Sequence, residues 1–273
     1  MFESFGRSIE LFRTSWGVLM DDKKLLVFPV LSGIVSIIVL LTFLITIIPV
    51  QFLGDTVYIV ALFAFYLVSY FVVIFFNTAL VSCVNARLNG KEMSVGEGLS
   101  NALMHFASIL AWALVSATVG VILNLLRERA GIAGQIAAAL IGGAWGLVTF
   151  FVVPILVLEN KGVVDAIKDS TSLIRKTWGE SIIGSGSIML VFFLIVVAGI
   201  IATIAAIFLA AAMNLSGIII PIVVLAIIIG IILAVIGVAM QGIYVTTLYI
   251  YARTGTVPSS FRSDLIRNAF VQK

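Results

Sequence analysis

Charge is what this chain has least of. Only 11% of its residues are Asp, Glu, Lys or Arg, against roughly a quarter in a soluble domain. It has a single cysteine, Cys83, and a single histidine, His105. One cysteine excludes an intrachain disulfide and gives no sign of an oxidising compartment. One of each cannot supply a conventional His/Cys zinc site, so no metal is expected. There is no Gly-x-x-x-x-Gly-Lys-Ser/Thr loop and no Gly-x-Ser-x-Gly elbow, which excludes those nucleotide-driven and hydrolytic chemistries. The chain therefore reads as non-enzymatic and without a cofactor. The opening MFESFGRSIELF lacks a small-residue cleavage site and is not read as a removable leader.

Apolar residues are what it has most of: 62% of 273, with a mean hydropathy of +1.25. That balance belongs to a polytopic membrane protein. A span needs roughly 20 apolar residues to cross about 30 Å of hydrocarbon. Six stretches qualify, at 25–48, 57–84, 106–126, 136–158, 182–212 and 218–251, and none carries a charged residue. The last two exceed one crossing, and Pro221 is a place for a kink in the sixth. Dividing the sixth near Gly237 would leave a poor helical hairpin, so six spans are expected.

The net charge of +3 suits basic loops better than nucleic acid. Of the 16 basic residues, only Arg127 and Arg129 fall in the loop after span three. The remainder lie on the opposite side, in the N-terminal segment, the loops after spans two and four, and the C-terminal tail. Positive charge is retained in the cytoplasm. Both termini are thus expected inside, in the plasma membrane of a prokaryote.

The phrase SIELFRTSWG at 8–17 returns as STSLIRKTWG at 170–179. In the first copy Phe2, Phe5, Ile9, Phe12, Trp16 and Leu19 are spaced three or four apart, one stripe of a helix. Such a helix suits the membrane interface, with Arg13 and Arg175 reaching lipid phosphates and Trp16 and Trp178 at headgroup level. A fainter third copy, SVGEGLSNALMHF, opens with the capping-box pair Ser94 and Glu97 and puts His105 where the arginines stand. The expected fold is an all-α bundle in a single domain over 1–273. It comprises three units of interfacial helix plus two spans, at about 1–93, 94–161 and 162–252, with a cytoplasmic tail from 253. Short amphipathic helices before spans also look alike simply because the interface selects the same residue types.

Close helix packing in lipid rests on small residues. Gly134, Ala138, Gly142 and Gly146 form one stripe, Ala198, Ala202, Ala206 and Ala210 a second, and Ala226, Gly230 and Ala234 a third. They predict a tight subassembly of spans four to six. Span two, with Phe63, Phe65, Tyr66, Tyr70, Phe71, Phe75 and Phe76, reads as bulk facing lipid, with a looser partner helix or an oligomer contact as the alternatives. Asn77 and Gln241 are the deepest polar residues, candidates for a helix–helix hydrogen bond or a solute path. Pro154 predicts a kink, or a broken helix around a site, in span four. Glu159, Asn160, Lys161, Asp165 and Lys168 form a mixed-charge boundary after it.

The run SIELFRTSWGVLMDDKKLLVFPVLSG, then VGEGLSNAL, then DAIKDSTSLIRKTWGE, resembles an uncharacterised family of prokaryotic six-helix membrane proteins. Those are similar to the membrane domain of some glycerophosphoryl diester phosphodiesterases. The resemblance implies architecture and assigns no functional residue. The expected function is engagement of anionic lipid headgroups, and of a partner protein or second copy, through the cytoplasmic helices. A transporter or channel, built as a homo-oligomer or around Asn77 and Gln241, is the alternative. A lipid-acting enzyme would need His105, Glu159 and Asp165 brought together.

Overall fold

A computed structural model describes residues 13–50, 54–129, 131–178, 187–213 and 215–255. All regular structure among them is helical. A stretch over 13–21, α1, leads through the 3-10 turn Lys23–Leu26 into α2 (Val27–Val50). Then come α3 (Asp55–Leu88), α4 (Val95–Met104), α5 (Phe106–Arg129), α6 (Gly131–Val148), α7 (Val152–Leu158), α8 (Val163–Trp178), α9 (Ser187–Ala212) and α10 (Ile219–Thr254). Six helical segments are long and apolar enough to cross a membrane: Lys23–Thr46, Asp55–Leu88, Phe106–Arg129, Gly131–Leu158, Phe193–Ala212 and Ile219–Thr254. This is a multi-pass membrane protein. A short helix precedes each pair of long ones.

The breaks follow local chemistry. Asp22 accepts a hydrogen bond from the Lys24 amide and starts the 3-10 turn. Gly54 (φ 106°) and Gly131 (φ 57°) take backbone conformations that L side chains resist, one before α3 and one before α6. The capping box forms as the sequence predicts: the Ser94 amide donates to Glu97 at 2.7 Å, and the Glu97 amide to the Ser94 hydroxyl at 3.2 Å. Pro221 falls in the first turn of a continuous α10, where a missing N–H costs nothing.

Span four is interrupted. α6 stops at Val148, and a turn over 149–151 starts α7 with Pro154 in its first turn. An unbroken helix would have driven the proline ring against the Phe150 carbonyl. The break is thus the stronger of the two outcomes Pro154 predicts.

Packing is concentrated at one end. The largest fully buried side chains include Leu19, Leu25, Phe28, Leu80, Ile109, Phe151, Leu156, Met240 and Leu248. They come from the beginnings of α2 and α5, the ends of α3 and α10, and α1 and α7. The basic residues Lys23, Lys24, Arg87, Lys91, Lys161, Lys168 and Arg253 flank these same helix ends. Away from that end Ile34, Ile45, Ile122, Leu140, Phe208 and Ile228 are exposed in the monomer, while Val121, Ala138 and Ala210 stay buried.

Two sequence expectations change here. Span two is more than lipid-facing bulk: α3 is the hub, packed on α2, α4, α5, α7 and α10 and buried over most of its last eleven residues, while Val57, Val60, Val68 and Val73 stay exposed in the monomer. Its aromatic bulk fills interhelical space, with Phe71 edge-on to Phe106 at 5.1 Å and Tyr66 stacked on Tyr70 at 6.0 Å. Spans four to six do not form a subassembly either. α6 packs mainly on α5 and α8, while α9 packs on α10. Of the small residues, Gly134, Ala138 and Ala210 are buried, Gly142, Ala206 and Ala226 half-buried, and Gly146, Ala198, Ala202, Gly230 and Ala234 exposed in the monomer. Closest approach occurs elsewhere: a Cβ on Gly98 would stand 2.6 Å from Cys83 Sγ, and one on Gly242 2.5 Å from Leu80.

Candidate functional site

Three features could carry function, and each is built from elements distant in sequence. The first is the group of short helices at the packed end. In α1, Arg13 and Trp16 are exposed while Ser15, Val18 and Leu19 are buried. In α8, Ala166, Ser170 and Leu173 turn inward and Arg175 outward. Trp178 closes α8, and its side chain, like residues 1–12, lies outside the described residues. His105, between α4 and α5, is half-buried, with Nδ1 2.8 Å from the Asn101 carbonyl. The apolar stripes therefore have two uses. Their inner residues seat the helices on the bundle, while Trp16, Leu103, Met104 and Val164 remain exposed beside basic residues.

The second feature is a closed ring of charges. Lys161 Nζ contacts Glu159 Oε2 at 2.7 Å and Asp169 Oδ2 at 2.5 Å. Arg253 contacts Glu159 Oε1 at 2.6 Å through Nε and Asp169 Oδ2 at 2.9 Å through a terminal guanidinium nitrogen. The Tyr249 hydroxyl donates to Glu159 Oε1 at 2.5 Å. Two carboxylates and two cations alternate, so the ring is neutral and ties the end of α10 to α8 and to the turn after α7. Burial pushes the Glu159 carboxyl up, but hydrogen bonds from Lys161 and Tyr249 and the charges of Arg253 and Lys161 outweigh it and hold it below the usual range. Hydrogen bonds from Lys161 and Arg253 lower Asp169, and the same contact raises Lys161.

The mixed-charge boundary expected after span four thus exists in part. Among the described residues Asp165 pairs only with Lys168, at 3.8 Å and exposed, whereas Asp169 and Arg253 complete the ring. Arg253 lies 84 residues from Asp169, and no local pattern pairs them; a lone arginine ending a long apolar helix is the only signal. His105, Glu159 and Asp165 each have different partners and are not assembled into one cluster.

The third feature is a cavity of about 740 Å³ between α3, α5, α6 and α10, reached also by Pro29 and Ser32 of α2. Asn77 and Gln241 both line it, so the structure brings together the two polar residues the sequence singles out. Its base holds the break in span four, with Thr149, Phe150 and Pro154, and the stacked indoles Trp112 and Trp145 at 5.8 Å. Arg127 is the one charged residue among those lining it, on the last turn of α5. A pocket of this volume is in the range that holds a small molecule, about 300–1,000 Å³.

A family described as "Family of unknown function (DUF6159)" matches residues 56–259. No curated protein matches the chain.

Proposed function

The chain belongs to this family of unknown function, and we propose that it is a non-enzymatic membrane protein that engages anionic lipid headgroups through its packed end. The observation carrying this reading is the coincidence at that end of exposed basic side chains, Arg13 and Arg175, with exposed apolar ones, Trp16, Leu103, Met104 and Val164. An amphipathic helix seated at an interface needs both. Each basic residue near an anionic surface contributes about 1 kcal/mol. In this reading that end is cytoplasmic, the membrane is a prokaryotic plasma membrane, and the short helix plus two spans is a unit used three times. The resemblance to the membrane domain of glycerophosphoryl diester phosphodiesterases belongs to the same reading. Purified protein should retain acidic lipid, and Arg13→Ala with Arg175→Ala should lower the retained amount several-fold. Unchanged lipid content in the double variant would refute the headgroup role.

A second reading, a transporter or channel, is favoured by the cavity that reaches Asn77 and Gln241. Neither carboxamide has a hydrogen-bond partner among the described residues, so a solute or water can take that place. Solute flux into proteoliposomes that persists undiminished in Gln241→Leu would exclude a path through this site.

A further inference from the structure

The cavity has a shape and a chemistry of its own. Polar groups follow one another along it: Gln241 and Asn77 deep, Ser116 on α5, Tyr70 higher on α3, and Arg127 at the end of α5. Ser116 and Arg127 are eleven residues apart, so this lane runs about 16 Å along the helix. One side of it is open. Gly143 and Gly146 on α6, and Val238 and Gln241 on α10, line the cavity and are at the same time exposed. A Cβ added at Gly143 or Gly146 would meet nothing within 4 Å. These glycines therefore permit no close helix contact here; they leave a wall bare.

We infer that the cavity is a binding site for the headgroup of an anionic phospholipid, which enters between α6 and α10 and leaves its acyl chains in the bilayer. The lane supplies what a phosphodiester headgroup requires inside a membrane. Arg127 has no carboxylate partner among the described residues, and its neighbour Glu128 accepts a hydrogen bond from Asn124. A guanidinium offers paired donors to phosphate oxygens. The amide nitrogens of Asn77 and Gln241 donate to phosphate, glycerol or ester oxygens, satisfying carboxamides that are otherwise costly in hydrocarbon. A wholly apolar ligand would leave both unpaired, and a soluble anion would not need the lateral opening. The bare glycine wall admits the chains' exit. This site is separate from the packed end, and the inference rests on the reading of the chain as one that engages anionic headgroups.

The test uses the full chain in nanodiscs of phosphatidylglycerol and phosphatidylcholine, extracted into mild detergent, with bound lipid counted per chain by native mass spectrometry. Wild type should retain phosphatidylglycerol. The doubly filled variant Gly143→Leu with Gly146→Leu should lose one bound phosphatidylglycerol per chain, and Arg127→Gln should cut the occupancy of that one site about fivefold. Gln241→Leu, at an exposed position of α10, is the second variant should the filled one not fold, and should likewise lower that occupancy severalfold. The melting temperature of each in the same detergent separates lost binding from lost structure. Undiminished retention in folded cavity variants overturns the inference. If Arg13→Ala with Arg175→Ala abolishes retention while they do not, the packed-end reading stands without it; the reverse pattern supports the cavity and removes the packed end. Displacement of the lipid by millimolar glycerol phosphate or inorganic phosphate would assign the site to free phosphate and overturn the lipid assignment.

Discussion

Replacing Phe151 by alanine is expected to cost about 3–5 kcal/mol, the range for truncating a fully buried aromatic ring. Phe151 has no exposed surface and sits in the turn that breaks span four. Its ring stands edge-on to Phe150 at 4.9 Å and tilted against Tyr249 at 6.2 Å. Its backbone amide, released from helical bonding by the break, donates to the buried Ser170 hydroxyl of α8 at 3.1 Å. One residue thus joins α7, α8 and α10 by packing and satisfies a backbone donor that lipid could not. Chemical unfolding in mixed micelles measures the loss. Phe151→Leu, which keeps most of the volume, should cost well under half as much. A loss below about 1 kcal/mol for the alanine variant would show that the turn is held by something other than this ring.

Glu159→Ala is expected to cost about 2 kcal/mol at pH 7 and less in acid. The substitution leaves Tyr249 without its acceptor, and Arg253 and Lys161 each with Asp169 as their one remaining carboxylate. Hydrogen bonds to charged groups contribute roughly 1.5–3 kcal/mol each. The partly exposed Glu159 side chain, at 20%, brings the total well below that of a fully buried ring. The sign of the pH effect follows from the direction of the shifts. Glu159 and Asp169 are both held below their unfolded values, about 4.3 and 3.9. Their contribution is complete above those values and is lost as pH falls through the lower, folded ones. The stability gap between wild type and Glu159→Ala should be constant from pH 7 to about 5 and close below about 4. A gap that stays constant to pH 3 would mean that charge is not what the residue contributes. In a double-mutant cycle with Arg253→Ala the two losses should not add, because each removes the same contact.

Six spans were legible because hydrocarbon thickness imposes a minimum apolar length that no other requirement imitates. The capping box was legible because Ser94 and Glu97 satisfy one another across a single turn. Pairing between helices was another matter. Bulk in span two looks the same whether it faces acyl chains or five protein neighbours, since both are apolar. The small-residue stripe of α6 misled for a related reason: glycine permits close approach without compelling it, and at Gly143 and Gly146 no helix approaches. Asn77 and Gln241 stood out as rare polar residues deep in long apolar runs, and the cavity brings them together. Arg127 was visible only as one of two basic residues on the sparse side, with nothing local to connect it to residues fifty positions earlier on α3.

The uneven distribution of burial has a mechanical consequence. Because the long helices α3 and α10 are buried mainly in their last turns, near one surface, their far halves behave as arms from a common pivot. Between α6 and α10 those halves border the cavity, so lateral pressure and bilayer thickness bear on their separation. A thicker or more tightly ordered membrane would draw them together and narrow the gap between α6 and α10, so the surrounding lipid acts on the width of the cleft as well as being able to enter it.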